Sequence, residues 1–125
     1  MDIGDKSKVA FIIGERTSHD LRVVNVYIGN ELVTYYDNTA YVPQFVHSVE
    51  CEASDIENRN ISNEYSFLDW GPTTDDVSVR GVLENNDLRL TCKLRNGKLI
   101  EITMPIEYVV SVYREAASSL RELHA

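Results

Sequence analysis

Residues 88–104, LRLTCKLRNGKLIEITM, constrain the fold more than any other stretch of this chain. Apolar side chains occupy every second position of its first half, namely Leu88, Leu90, Cys92 and Leu94. This alternation is typical of a strand with one buried face. Asn96 and Gly97 then form a hairpin signal, because both residue types tolerate the positive φ of primed two-residue turns. Apolar residues return from Leu99 onward, so the stretch predicts an antiparallel β-hairpin.

Two further regions carry strand patterns. The region 8–36 opens with an apolar run rich in Val and Ile, and apolar residues continue on both sides of a second hairpin signal, Gly29-Asn30. This region is predicted to form three strands in a meander. Residues 77–83 alternate in the same way and add one strand before the hairpin, which makes six strands in all.

Apolar residues recur at helical spacing in two segments, residues 40–53 and the C-terminal region that follows Pro105. In the first segment Thr39 is expected to cap the helix, and Pro43 fits its first turn, where a missing N–H is tolerated. Runs of strands broken by helices, with hairpin connections, indicate an α+β fold. We therefore predict one antiparallel sheet of about six strands in two meanders, with two helices packed on it, in a single domain spanning residues 1–125.

Composition and the N-terminus predict a soluble, cytoplasmic protein. A hydrophobic content of 43% and a charged content of 26% are ordinary for a globular chain. No apolar run approaches the roughly 18 residues that span a bilayer, and MDIGDKSKVAFII has acids where a secretory signal would be basic. Cys51 and Cys92 belong to no metal-binding pattern and are expected to be reduced, while the histidines are widely scattered. Neither a metal nor a cofactor is expected.

The net negative charge of the chain comes from its middle region. Residues 41–87 hold ten acids against two bases, which accounts for the whole net charge of −8, since the flanks together hold ten of each. Such a field repels nucleic acid and membranes, and it attracts basic partners. The alternative is that these acids only keep the protein in solution.

One pair of residues suggests possible catalysis. His47 and Cys51 lie four positions apart on the first predicted helix, so they share a face and are within reach of each other. A thiolate nucleophile would also require a cleft and a third, orienting group, which the sequence does not indicate. No phosphate loop, GxSxG elbow, HExxH or EF-hand motif occurs. No catalytic residue is therefore predicted, and a small cysteine-dependent enzyme is the less favoured alternative.

Three stretches of the first half resemble a known family of proteins: MDIGDKSKVAFIIGE, VVNVYIGNELVTYY and YVPQFVHSVE. They are similar to the small immunity proteins encoded beside toxin genes in bacterial contact-dependent inhibition and related polymorphic toxin systems. The resemblance implies a cytoplasmic, non-catalytic protein that binds a cognate toxin domain and neutralises it. Many such toxins are nucleases with basic clefts, so the implied partner is a basic toxin domain that an acidic inhibitor complements. A non-catalytic adaptor or oligomeric subunit is the alternative.

The predicted partner surface lies between residues 50 and 76, where aromatic and acidic residues occur together. Interface cores favour Trp and Tyr, while charged side chains direct the encounter. The candidate partner-binding residues are Glu50, Glu52, Asp55, Glu57, Glu64, Tyr65, Asp69, Trp70, Asp75 and Asp76. Phe67 and Leu68 are expected to anchor this segment to the core. Trp70 has two interpretations, because it could also plug one end of the sheet.

Overall fold

The computed structural model describes residues 1–35, 37–74 and 77–125, and within them the chain forms eight strands and two helices. The first half contains β1 (Asp2–Gly4), β2 (Val9–Arg16), β3 (Leu21–Ile28), β4 (Glu31–Leu32), β5 (Thr39–Tyr41) and the helix α1 (Val42–Glu57). The second half contains a 3-10 turn (Pro72–Thr74), β6 (Ser78–Glu84), β7 (Asp87–Lys93), β8 (Leu99–Pro105) and the helix α2 (Ile106–Leu123). Neither of these described helices is long and apolar enough to cross a membrane.

The first sheet contains β1 to β5, and all of its pairs are antiparallel. β1 pairs with β2 and β2 with β3, while β4 and β5 share the remaining edge of β3 at its two ends. The turn between β3 and β4 lies at Gly29 and Asn30, whose φ angles are 55° and 68°. The hairpin predicted at this position is therefore confirmed.

The second sheet is a meander of β6, β7 and β8. In its central register Leu90 of β7 faces Gly81 on one side and Ile102 on the other. Every second residue of β7 is buried, as the alternation in the sequence predicts. The chain reverses between β7 and β8 at Asn96 and Gly97, where Gly97 has a φ of 87°. The strongest hairpin signal in the sequence is also confirmed.

The α+β class is confirmed, but the prediction of one six-stranded sheet is corrected. The described residues form two antiparallel sheets, of five and three strands. The strands that were not predicted are β1 and β5, each of three residues. They are too short to show alternation, and both pair with residues distant in sequence, Asp2 with Ile12 and Leu21 with Tyr41.

The first helix begins and ends later than predicted. α1 runs from Val42 to Glu57 instead of from residue 40 to residue 53. Thr39 does not cap it because Thr39 lies in β5, and the N-cap residue Tyr41 makes no side-chain cap bond. Pro43 lies in the first turn, as predicted. The helix continues past Ala53 because Ile56, one turn further, is also fully buried.

The two helices pack against each other and complete the core. In α2 the buried residues recur at helical spacing, as predicted after Pro105. One continuous cluster of buried side chains joins both sheets and both helices. Its largest members are Trp70, Tyr113, Phe11, Phe45 and Phe67. The segment between α1 and β6 thus contributes two of the largest core side chains.

Candidate partner-binding surface

Residues 65–70, here called the 65–70 segment, lie between α1 and β6 and contact both elements. Phe67 donates its backbone N–H to the Val79 carbonyl of β6 at 3.2 Å. Its ring lies so close to Gly81 that a Cβ there would be 2.9 Å from it. Phe67 and Leu68 are both buried, which fits the prediction that they anchor this segment.

Trp70 belongs to the core. Its side chain is only 1% exposed. The indole stacks on Phe11 at 5.4 Å and meets the rings of Phe45 and Tyr113 edge-on at 5.6 and 5.2 Å. Of the two interpretations of Trp70, this burial favours the one in which the indole packs in the core, because three rings enclose it.

Glu52 is also buried, at 3% exposed, although it was predicted to face a partner. One carboxyl oxygen accepts the Leu68 backbone N–H at 2.9 Å, and the other has no hydrogen-bond partner among the described residues. The burial follows from helical spacing, since Glu52 lies three residues after Val49 and four before Ile56 on the buried stripe of α1. The helical spacing of the sequence therefore contained the signal for this burial.

Burial raises the pKa of Glu52 to about 7. The Tyr113 hydroxyl, the Leu68 N–H and the Trp70 indole N–H oppose this rise, and Asp55 adds to it. Of the three donors only Leu68 makes a hydrogen bond of normal geometry. The buried carboxyl is therefore neutral in slightly acidic solution and ionises near neutral pH.

Two of the predicted acids are paired with the second helix. Glu57 accepts both guanidinium nitrogens of Arg114 at 2.8 and 2.9 Å, and Glu50 is bridged in the same way by Arg121. Both carboxylates are partly exposed, but their charge is compensated. The sequence signal for these pairs is the shared spacing of seven residues on the two helices, which brings opposite charges together when the helices run antiparallel.

The remaining predicted residues divide into bonded and unbonded groups. Tyr65 donates its hydroxyl to Asp55 at 2.9 Å, and its ring packs on Phe67 at 4.8 Å. Glu64 and Asp69 are exposed, and their carboxylates make no hydrogen bond or ion pair with any other described residue. Asp75 and Asp76 lie outside the described residues.

A groove of about 440 Å³ separates α1 from the 65–70 segment. The helix contributes His47, Ser48, Cys51 and Glu52 to its lining, and the segment contributes Tyr65, Ser66 and Asp69. His47 Nε2 lies 3.6 Å from Cys51 Sγ, so the contact predicted from their spacing is confirmed. The groove thus brings the His47–Cys51 pair together with three of the candidate partner-binding residues, Glu52, Tyr65 and Asp69. Among the described residues no group of three His, Cys, Asp or Glu side chains could hold a metal ion.

The two cysteines are expected to differ sharply in reactivity. Both are free thiols, but Cys51 is exposed, whereas Cys92 is buried and burial raises its pKa to about 12. A thiol-specific chromogenic reagent should therefore modify one thiol per native chain and two in denaturant. A Cys51→Ser variant should show no rapid phase. Fast reaction of two thiols in the native wild-type protein would contradict this arrangement.

The arrangement of sheets and helices is similar to that of a solved bacterial protein. The similar structure is the crystal structure of CdiI from Burkholderia dolosa AUO158, a contact-dependent inhibition immunity protein. The structural alignment covers 95% of this chain and 99% of the CdiI chain, with a TM-score of 0.60. This chain has the CdiI fold. Only 11% of the residues are identical, so the likeness to this CdiI is one of fold. It confirms, at the level of fold, the resemblance that the first half of the sequence shows. No protein-family model matches the sequence, and no curated protein matches it.

Proposed function

We propose that this protein is a cytoplasmic immunity protein that binds a cognate toxin domain and neutralises it. The observation that carries the proposal is the CdiI fold, which extends over 95% of the chain. The protein acts by binding and not by catalysis of its own. Its partner is the toxin domain encoded beside it.

The chemistry of the surface supports a basic partner, of which a nuclease domain is the leading example. The net charge of −8 favours association with a basic surface and disfavours nucleic acid and membranes. In a nuclease cleft, carboxylates can occupy the positions that substrate phosphates would take. Glu64 and Asp69 are best placed for this role, because they are exposed and unpaired among the described residues.

The other predicted residues contribute to different degrees. Tyr65 supplies a half-buried aromatic ring beside these acids. Glu50, Asp55 and Glu57 contribute less, because their carboxylates are bonded to Arg121, Tyr65 and Arg114. Asp75 and Asp76 belong to the proposed partner-binding set on sequence grounds alone, since they lie outside the described residues.

Neutralisation provides the direct test. The upstream gene is expected to encode a large exported protein with a variable C-terminal domain. Cells that express this C-terminal domain alone should stop growing, and co-expression of the present protein should restore growth. Unrescued growth, together with no complex between the purified proteins, would refute the proposed function.

Charge reversal tests the surface. The double variant Glu64→Lys/Asp69→Lys should lower the association rate with the toxin domain by about tenfold or more at low salt, and high salt should reduce the difference. A control with the same change of net charge, Glu101→Lys/Glu107→Lys, places the lysines on β8 and α2. The control should have a clearly smaller effect in stopped-flow association kinetics. Equal effects of the two double variants would show that net charge alone matters and that this surface is misplaced.

A further inference from the structure

Two carboxyl groups line the groove between α1 and the 65–70 segment, those of Glu52 and Asp69, and neither forms an ion pair with a described residue. Glu52 lines it although only 3% exposed, which places the side chain at the base of the groove. One oxygen of this carboxyl group makes no hydrogen bond of normal geometry with the described residues, although the Tyr113 hydroxyl and the Trp70 indole N–H lie near enough to lower its pKa. Asp69 is exposed at the rim and its carboxylate is unpaired within the same residues. None of the described residues that line the groove is a Lys or an Arg.

The carboxyl group of Glu52 is buried with a single hydrogen bond of normal geometry, from the Leu68 N–H, so a further donor that reached it would lower the cost of its burial. The rest of the lining is polar and suits a charged guest: Ser48, whose hydroxyl accepts from Gln44 at 2.7 Å, and Ser66. Tyr65 adds an aromatic ring to the wall. At about 440 Å³ the groove is in the range of small-ligand sites and can hold one long side chain.

We infer that this groove accepts an arginine side chain of the partner, with its guanidinium group placed between Asp69 and Glu52 and beside the ring of Tyr65. Arginine fits better than lysine because the guanidinium group offers five donors in a planar fork, is weakly hydrated, and stacks on aromatic rings. The identity of the partner as a toxin domain rests on the function proposed above. The preference for a guanidinium group does not, because it follows from the groove alone.

The pH dependence of binding follows from the groups around Glu52. These titratable groups are His47, Cys51 and Asp55 of α1, Tyr65 and Asp69 of the segment, and Tyr113 of α2. A guanidinium group binds the ionised form of Glu52, and this form increases from about one tenth to about nine tenths between pH 6 and pH 8, since its pKa is about 7. Affinity should therefore rise about tenfold over this range.

The probe for this inference is N-acetyl-arginine amide, titrated into the ¹⁵N-labelled full-length protein and followed by NMR. Backbone amides at Cys51 and at residues 66–69 should shift, with a dissociation constant in the millimolar range. The citrulline analogue, which has the same shape without the charge, should cause no shift of these amide signals. The lysine analogue should bind several-fold more weakly.

Variants separate the contributions of the individual groups. Asp69→Asn, at an exposed position, should weaken arginine binding several-fold without affecting folding. Glu52→Gln should abolish most of the tenfold pH effect, and His47→Gln should retain most of it. Equal shifts with citrulline, equal affinity for lysine, or an unchanged pH effect in Glu52→Gln would each overturn the inference. Toxin neutralisation without arginine binding would refute this site alone, whereas arginine binding without neutralisation would refute the proposed function alone.

Discussion

Replacement of Trp70 by alanine should lower the free energy of unfolding by about 3–5 kcal/mol. The indole is 1% exposed and contacts three other rings, so its removal leaves a cavity that the neighbouring side chains can only partly fill. A domain of this size has a total stability of about 5–15 kcal/mol, so the variant should be close to unfolding at 37 °C. Urea denaturation followed by far-UV circular dichroism measures the loss.

A matched control distinguishes burial from aromatic character. Tyr41 is a large aromatic residue that is 47% exposed, and Tyr41→Ala should change the free energy of unfolding by about 0.5 kcal/mol or less. Trp70 would instead belong to the partner surface if Trp70→Ala kept wild-type stability and bound the toxin domain more weakly. The two alternatives that the sequence left open for Trp70 thus have opposite experimental outcomes.

Local signals predicted much of this fold. Both hairpins were predicted because Gly29-Asn30 and Asn96-Gly97 combine turn residues with apolar alternation over a few neighbouring positions. Helical periodicity likewise predicted both helices. The division into two sheets could not be predicted in this way, because it depends on which strands pair over long distances. No residue in β1 or β5 indicates its partner strand.

The sequence does not show which acids of the candidate surface are paired, because position along the chain does not determine position in space. Residues 41–87 hold ten acids, yet Glu57 and Glu50 are compensated by arginines that follow 57 and 71 residues later. Their charge is therefore not available in the way that the local sequence suggests. Asp69, in contrast, lies between the buried side chains of Leu68 and Trp70 and is exposed, because its backbone neighbours are the residues that anchor the segment.

Glu52 is a charged residue type at a buried position of α1. Glu52 was predicted to face a partner, but the buried stripe of Val49, Ala53 and Ile56 contains position 52. Tertiary structure then supplies what a buried carboxyl group requires, namely the Leu68 N–H. The backbone of Leu68 has a φ of 58°, which is uncommon for a non-glycine residue. This unusual backbone and this buried acid meet at a single hydrogen bond beside the groove.

Glu52 should make the protein less stable as the pH rises. The pKa of Glu52 is about 7 in the folded protein, against an ordinary value of 4.5. Below about pH 4.5 the residue is protonated in both the folded and the unfolded chain, so it imposes no penalty. Between about pH 4.5 and pH 7 the unfolded chain releases the proton and the folded chain retains it. The free energy of unfolding should therefore fall by about 3 kcal/mol over this interval and then level off.

Replacement of Glu52 by glutamine should remove this contribution. The amide is neutral at every pH, and its oxygen can still accept the Leu68 N–H, so the variant mimics the protonated acid. We expect the variant and the wild type to be about equally stable near pH 4, and the variant to be more stable by about 3 kcal/mol at pH 8. Urea titrations followed by Trp70 fluorescence at several pH values measure the difference. Glu57→Gln, at an exposed carboxylate paired with Arg114, should retain the wild-type decline above pH 4.5. If Glu52→Gln showed the same decline as the wild type, the decline would belong to other groups and Glu52 would be ionised in the folded protein.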